Sequence, residues 1–173
     1  HDVKIVLATT VSPVDDIVVE YCRKKNISCF RGSETNVLER YYLCAQQYEF
    51  QNIIRLTGDN PFVDVVEIDN LMDFYFSEKL NYANSFNALP VGAGAEIFSF
   101  AALEKSCWEG KLPHHVEHVN EYMIEHPELF ATKLFSVTPS KNRTDIRLTV
   151  DTPEDIRKAE YIVRNSENEY ITT

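Results

Sequence analysis

Residues 3–30 read VKIVLATTVSPVDDIVVEYCRKKNISCF, and the order of signals in this stretch points to one architecture. Val3–Ala8 is a short β-rich run. Thr9–Pro13 breaks it; Ser12 can cap a helix, Pro13 suits the first helical position, and Asp15 stands where a capping box would close. Val14, Ile17, Val18, Tyr21 and Cys22 recur at i, i+3, i+4, i+7 and i+8, which predicts one buried helical stripe. Lys24, Lys25 and Asn26 end that helix with the positive charge its dipole favours. A strand around Ser28–Phe30 completes a β-α-β unit.

The unit repeats. Asn36 with Glu39 opens a helix whose apolar face is Val37, Leu38, Tyr41, Tyr42, Ala45 and Tyr48. Asn52–Thr57 reads as a strand and Gly58–Pro61 as its turn, and Asp64 and Glu67 open a helix carrying Val66, Ile68, Leu71, Met72 and Phe74. Alternation at this spacing predicts an α/β fold, a mostly parallel sheet with helices on both faces. Beyond Asn81 the rhythm loosens. Strands are expected at Tyr82–Ser85, Glu96–Phe100, Thr132–Val137 and Ile146–Val150, with a flexible loop at Asn87–Ala93. Helices are expected at Ala101–Gly110 and from Pro113, the latter with Val116, Val119, Tyr122 and Met123. A last helix opens at Thr152-Pro153-Glu154-Asp155 and should bury Ile156, Ala159, Ile162 and Val163. No linker divides the chain, so one domain is expected over 1–173, with a core at 1–164 and a frayed polar tail at 165–173.

The 173 residues carry 17 Lys and Arg against 27 Asp and Glu, a net charge of −10. Nucleic-acid grooves and anionic membrane surfaces call for a basic face, so neither is an expected partner. A nucleotide stays open, because a divalent cation can bridge carboxylates to phosphates. No apolar run approaches the ~20 residues of a membrane span and no signal peptide opens the chain, so a cytoplasmic protein is expected. Cys22, Cys29, Cys44 and Cys107 form no C-x-x-C pair and read as reduced core thiols.

In open parallel sheets, ligands bind beyond the carboxyl ends of the strands. Asp59 stands there, after the strand at Asn52–Thr57, with Gly58 beside it to let backbone approach a ligand; the alternative is a turn residue bonding its own backbone. Asp151 follows Ile146–Val150 and is not needed as a helix cap, since Thr152 and Asp155 suffice. It is either a metal ligand paired with Asp59, as Mg²⁺ would require, or an extra acid at a helix start. Arg31, Ser33 and Arg40 could hold an anion or a base edge, or simply shape a turn with a surface salt bridge. His114 and His118 have the i, i+4 spacing of a zinc pair, and His118 could instead line a polar site wall. The acidic runs Asp15-Asp16 and Glu167–Glu169 read as solvated faces.

Taken in series, VKIVLATTVSPVDD (3–16), CFRGSETNVLERYY (29–42), IRLTGDNPF (54–62), EIFSFAALE (96–104), Glu117-His118-Val119 and IRLTVDTPED (146–155) resemble the cytidylyltransferase family. That family includes acylneuraminate cytidylyltransferases and the SpsF-type spore coat polysaccharide biosynthesis proteins. The resemblance implies a Rossmann-like nucleotidyltransferase fold and transfer of CMP from CTP to a sugar hydroxyl, giving an activated CMP-sugar for surface polysaccharide biosynthesis. It implies Mg²⁺ at Asp59 and Asp151, nucleotide contacts from Arg31, Ser33, Arg40 and Gly58, and a sugar side at Glu96 and His118. A homodimer is expected with it.

The chain departs from the family pattern in two places. The family opens with a strand and a G-S-x-R-L-P-G-K loop that grips the triphosphate, whereas this sequence starts at what would be the second strand. About 30–40 residues of the usual layout are therefore expected from elsewhere. The chain alone is expected to lack transfer activity and to self-associate at an open strand edge. The second departure is Val91-Gly92-Ala93-Gly94-Ala95, where the family carries acids flanking Gly92 and at Gly94. Two alternatives stand beside the enzyme: a glycosyltransferase of similar fold, though Asp59-Asn60-Pro61 is not its Asp-x-Asp motif, and a non-catalytic sugar-nucleotide-binding or assembly module.

Overall fold

A computed structural model describes residues 3–166; the acidic run Glu167–Glu169 and the tail from 167 onward lie outside the described residues. In chain order the elements are β1 (Val6–Thr10), α1 (Asp16–Lys25), β2 (Ser28–Gly32), α2 (Val37–Gln47), β3 (Asn52–Arg55), α3 (Val65–Ser77), β4 (Tyr82–Asn84), β5 (Glu96–Ser99), α4 (Phe100–Glu109), α5 (Pro113–Glu117), α6 (Glu121–Glu125) and α7 (Pro153–Asn165). They form two compact units, one of residues up to Ile53 with Ser99–Phe130, the other of Ile54–Phe98 with the residues from Ala131.

In the first unit β1 and β2 pair in parallel, Val6 opposite Ser28 through Thr10 opposite Gly32. Cys22, Leu38, Cys44, Ala45, Leu103, Val119 and Met123 are buried, and Tyr42 of α2 stacks on Phe100 of α4 at 5.7 Å. All four cysteines are free thiols, and burial pushes Cys44 up to about 11. In the second unit Leu71, Met72, Tyr75, Leu80, Ala83, Ala95, Ile97 and Phe135 make the core, with α3 lying against β4. The side chain of Asp64 caps α3 by accepting from the Val66 and Glu67 amides at 3.0 and 3.1 Å.

The α/β alternation through α3 is as the spacing predicts, with four differences in detail. The strands fall into two sheets, β1-β2 and β3-β5-β4, and β4 runs antiparallel to β5. The segments expected as strands at 132–137 and 146–150 make only single bridges, at Thr132 and Arg147; backbone groups of the latter pair with the loop residue Val91 and with Asp59. Ser12 makes no side-chain cap, because the Asp15 carboxylate turns back to Thr9 and Thr10. The stripe on α1 is not covered: Val14 is 80% and Ile17 74% exposed, and only Cys22 is buried. No residue of α7 is buried either. No helix among the described residues is long and apolar enough to cross a membrane.

Candidate functional site

The turn after β3 is shaped by Asn60. Its amide nitrogen donates to Oγ1 of Thr57 at 2.7 Å and its backbone N–H to the Thr57 carbonyl at 3.2 Å. Asn60 thereby performs the local bonding that Asp59 might have performed, and Asp59 stays exposed with no side-chain hydrogen bond among the described residues. The Asn60 Oδ1 is buried without a partner among the described residues. A Cβ on Gly58 would meet nothing within 4 Å, so open space adjoins the turn. Gly58, Pro61 and Phe62 form one wall of an apolar groove of about 430 Å³, with Val150, Ile156, Ala159 and Val163 opposite.

Asp151 arrives at the same edge. The Val150 N–H donates to the Asp59 carbonyl at 2.8 Å, so the backbone of one acid lies one residue from the other, although 92 positions separate them. The cap of α7 is Thr152 with Asp155: the Thr152 hydroxyl donates to Asp155 Oδ2 at 2.8 Å, and the Asp151 and Thr152 amides donate to it at 3.2 and 3.0 Å. These bonds, the Thr152 hydroxyl first, hold Asp155 below the usual carboxylate range. Asp151 is thus not the cap. Its own carboxylate accepts from Arg147 and, at 3.0 Å, from the Thr149 hydroxyl. Neither Arg147 nor Thr149 is singled out from sequence, and the i, i+4 relation of Arg147 to Asp151 is the signal that could have found the first.

The loop at Val91–Ala95 is set against the strand-like segment 146–150. The Val91 N–H donates to the Ile146 carbonyl at 2.9 Å and the Val91 carbonyl accepts from the Leu148 N–H at 2.7 Å. Gly92 has φ +93°, and a Cβ there would stand 2.9 Å from the Thr149 amide nitrogen. Gly94 is buried, with a Cβ placed 3.0 Å from the Phe86 ring and 3.2 Å from Ser85. An acid at Gly94, as the family pattern has it, does not fit this packing. Glu96 is fully buried; its carboxylate accepts from Arg55 Nη1 at 2.6 Å and from the Tyr82 hydroxyl at 3.0 Å.

In the other unit Arg31 uses its whole fork on the protein. Nε and Nη2 donate to the carbonyls of Thr10 and Ser12, both at 2.8 Å, and Nη1 to Asp16 at 2.7 Å. Arg31 thereby braces the segment leaving β1, an edge where parallel sheets bind ligands. Asp15 braces it from the other side, accepting from the hydroxyls of Thr9 and Thr10, both at 2.6 Å, and from the Thr10 amide at 3.0 Å. The runs that read as solvated faces thus include one engaged acid, Asp15, and one exposed ion pair, Asp16 with Arg31. Ser33 Oγ accepts from the Asn36 amide at 3.0 Å, and Arg40 Nη1 donates to the Ser33 carbonyl at 2.6 Å while its Nε is buried without a partner. His118 is exposed and extended (φ −115°, ψ 110°) just past α5, with its backbone N–H donating to the His114 carbonyl at 2.8 Å.

A family model described as cytidylyltransferase matches residues 2–172. An uncharacterised protein of Methanocaldococcus jannaschii, MJ1063, is 37% identical over 155 residues, covering 88% of this chain and 63% of that protein. The spore coat polysaccharide biosynthesis protein SpsF of Bacillus subtilis is 34% identical over 152 residues, covering 87% and 63%. The chain thus spans less than two thirds of the length of the curated relatives it matches. Among solved structures, a cytidylyltransferase from Leptospira borgpetersenii superposes with a TM-score of 0.88 at 28% identity, covering 96% of this chain and 71% of that one. A CMP:2-keto-3-deoxy-manno-octonic acid synthetase complexed with CTP superposes at 0.64 with 12% identity, covering 94% and 81%, and supports the Rossmann-like nucleotidyltransferase fold alone.

Proposed function

Because this chain belongs to the cytidylyltransferase family, we propose that it forms part of an enzyme that transfers CMP from CTP to a sugar hydroxyl. The hydroxyl oxygen bonds to the α-phosphorus, the α–β bridging bond breaks, and pyrophosphate leaves with the electron pair as the hydroxyl proton is lost. The SpsF relative, by its name a polysaccharide biosynthesis protein, motivates an activated sugar for surface polysaccharide as the product. A cytoplasmic homodimer belongs to the same proposal.

The observation that carries the reading is the bond from the Val150 N–H to the Asp59 carbonyl, which holds the residue before Asp151 against Asp59, both acids being exposed. The donor set there is oxygen only, which suits Mg²⁺ rather than a softer ion. Asp59 and Asp151 would hold the ion, whose charge offsets that of the phosphates. Asp59 offers an uncommitted carboxylate, whereas Asp151 is pre-oriented by Thr149 and must yield part of its bond to Arg147. Gly58 leaves room beside the turn for a phosphate to approach backbone. Arg31, Ser33 and Arg40 serve the nucleotide by fixing loops at the ends of β1 and β2. His118 offers an exposed imidazole to the sugar, and Glu96 acts as a positioning residue through Arg55 and Tyr82. Nucleotidyl transfer needs positioning and charge neutralisation more than a protein nucleophile.

Pyrophosphate release by the complete protein, with CTP, Mg²⁺ and a panel of sugars, tests this. Asp59→Ala should abolish release while circular dichroism stays unchanged. Undiminished release by the variant, or equal use of CTP, UTP and ATP, would overturn the reading.

A further inference from the structure

A second cluster of donor groups lies in the other unit, on elements that the proposed transfer does not use. His114 and His115 of α5 both turn towards Glu125 of α6: Nε2 of His114 lies 2.8 Å from Oε1, and Nε2 of His115 lies 2.6 Å from Oε2. Two imidazoles thus address the two oxygens of one carboxylate, and one ligand atom from each of the three residues lies within 4.8 Å of the others. We propose that His114, His115 and Glu125 form a site for a zinc-type divalent cation, with water in the fourth position.

The arrangement is built rather than incidental. The His115 side chain is almost fully buried, and its ring is held edge-on between the His114 ring at 4.3 Å and the Tyr122 ring at 5.3 Å. Tyr122 is fixed in turn by donating to Glu109 at 2.7 Å. His114 and Glu125 are about two-fifths exposed, which leaves an entry path for an ion.

Around a tetrahedral zinc, with bonds of about 2.0–2.2 Å, donor atoms stand about 3.3–3.5 Å apart. The present separations of 2.6 and 2.8 Å reach that value if the exposed Glu125 side chain backs away by less than an ångström. At present the Leu112 N–H donates to His115 Nδ1 at 3.4 Å, which leaves the ring proton on Nε2 towards Glu125; ligation through Nε2 moves that proton to Nδ1 and gives up the Leu112 bond. Two imidazoles with one carboxylate favour zinc and its neighbours over Mg²⁺, so this site and the Asp59–Asp151 pair would select different ions. Occupation would clamp α5 to α6.

Cobalt(II) absorption on the full chain tests the proposal, because tetrahedral nitrogen and oxygen ligation gives visible d–d bands. One equivalent should bind, and zinc should displace it. His114→Ala and Glu125→Gln should each weaken binding at least about 10-fold, the lower end of what even outer partners of a metal contribute. His118→Ala should leave it unchanged, and circular dichroism should be the same for all three variants. Absence of d–d bands, an affinity in His114→Ala and Glu125→Gln equal to that of the unsubstituted chain, or the intense charge-transfer bands of cysteine ligation would each overturn the proposal.

Discussion

Arg55 Nη1 stands 2.6 Å from Oε1 of Glu96, a carboxylate with no solvent exposure, and the guanidinium side chain is itself 15% exposed. Removing one member of a buried pair strands the other as an uncompensated charge, which costs about 3–5 kcal/mol. Glu96→Ala should therefore lower the unfolding free energy by that order. Glu96→Gln, which can still accept from Arg55, should lose less. Urea unfolding of both variants checks this, and a loss of activity in Glu96→Ala without a loss of stability would move Glu96 from scaffold to sugar contact.

Asp15 should carry part of the acid sensitivity of the fold. Hydrogen bonds from the Thr10 and Thr9 hydroxyls and the Thr10 amide hold its pKa at about 2, against an ordinary 3.8. A folded-state value below the unfolded one means the contribution is complete above the unfolded pKa and is lost as pH falls from about 4 to about 2. Carboxyl-carbon NMR should give a midpoint near 2 for Asp15. Thr10→Val should move the midpoint upwards, and Asp15→Asn should flatten stability across that window.

The two loop glycines should differ in how they tolerate a methyl group. At Gly92 the new Cβ meets the Thr149 amide nitrogen and the Leu148 carbonyl carbon, at 2.9 and 3.1 Å, with φ at +93°. At Gly94 it meets first the edge of the Phe86 ring, a side chain that is 38% exposed and can shift. Gly92→Ala should destabilise more than Gly94→Ala, with the latter at about 1–3 kcal/mol, as overpacking typically costs. Thermal unfolding of the pair would show it, and the reverse order would contradict the packing described.

Loss of the α7 cap should be measurable by itself. Thr152→Ala removes the hydroxyl bonded to Asp155 and should cost about 1 kcal/mol. Asp155→Ala removes four acceptor contacts at once, from the Asp151 and Thr152 amides, the Thr152 hydroxyl and Arg147, and should cost more. Amide exchange at the first turn of α7 should accelerate in both variants, and unchanged rates would show that the cap is redundant.

The helices over 16–25, 37–47, 65–77 and 153–165 are legible in the sequence because caps and 3.6-residue periodicity are local properties. What periodicity cannot tell is whether anything in this chain covers an apolar face, and Ile17, Ile156 and Val163 are exposed for that reason. Ser12 misleads because Asp15 has a better offer, three donors at Thr9 and Thr10 instead of one cap. Ile146–Val150 has strand composition, but its partners are the loop residue Val91 and the turn residue Asp59 rather than a ladder. At the acid pair, Asp59 and Asp151 can be picked out as residues following strands and Arg147 by its i, i+4 spacing to Asp151, whereas Asn60 and Thr149 act through contacts that no spacing rule separates from those of any exposed loop. The histidine cluster is legible only by half. Spacing offers His114 with His118, but α5 ends after five residues and chain reversal brings Glu125 instead.

Arg147 divides its guanidinium between Asp151 and Asp155, the second of which caps α7. Whatever changes the charge at Asp151 therefore redistributes Arg147, and with it the grip on the helix start. Coupling of this kind is reciprocal: a helix start that frays releases Arg147 to Asp151 and holds that acid more tightly, and an Asp151 engaged elsewhere releases Arg147 to Asp155 and tightens the helix start. If the proposed ion binds at Asp59 and Asp151, the first turn of α7 would serve as a built-in gauge, its dynamics reporting the state of Asp151 without any probe attached to the acid itself.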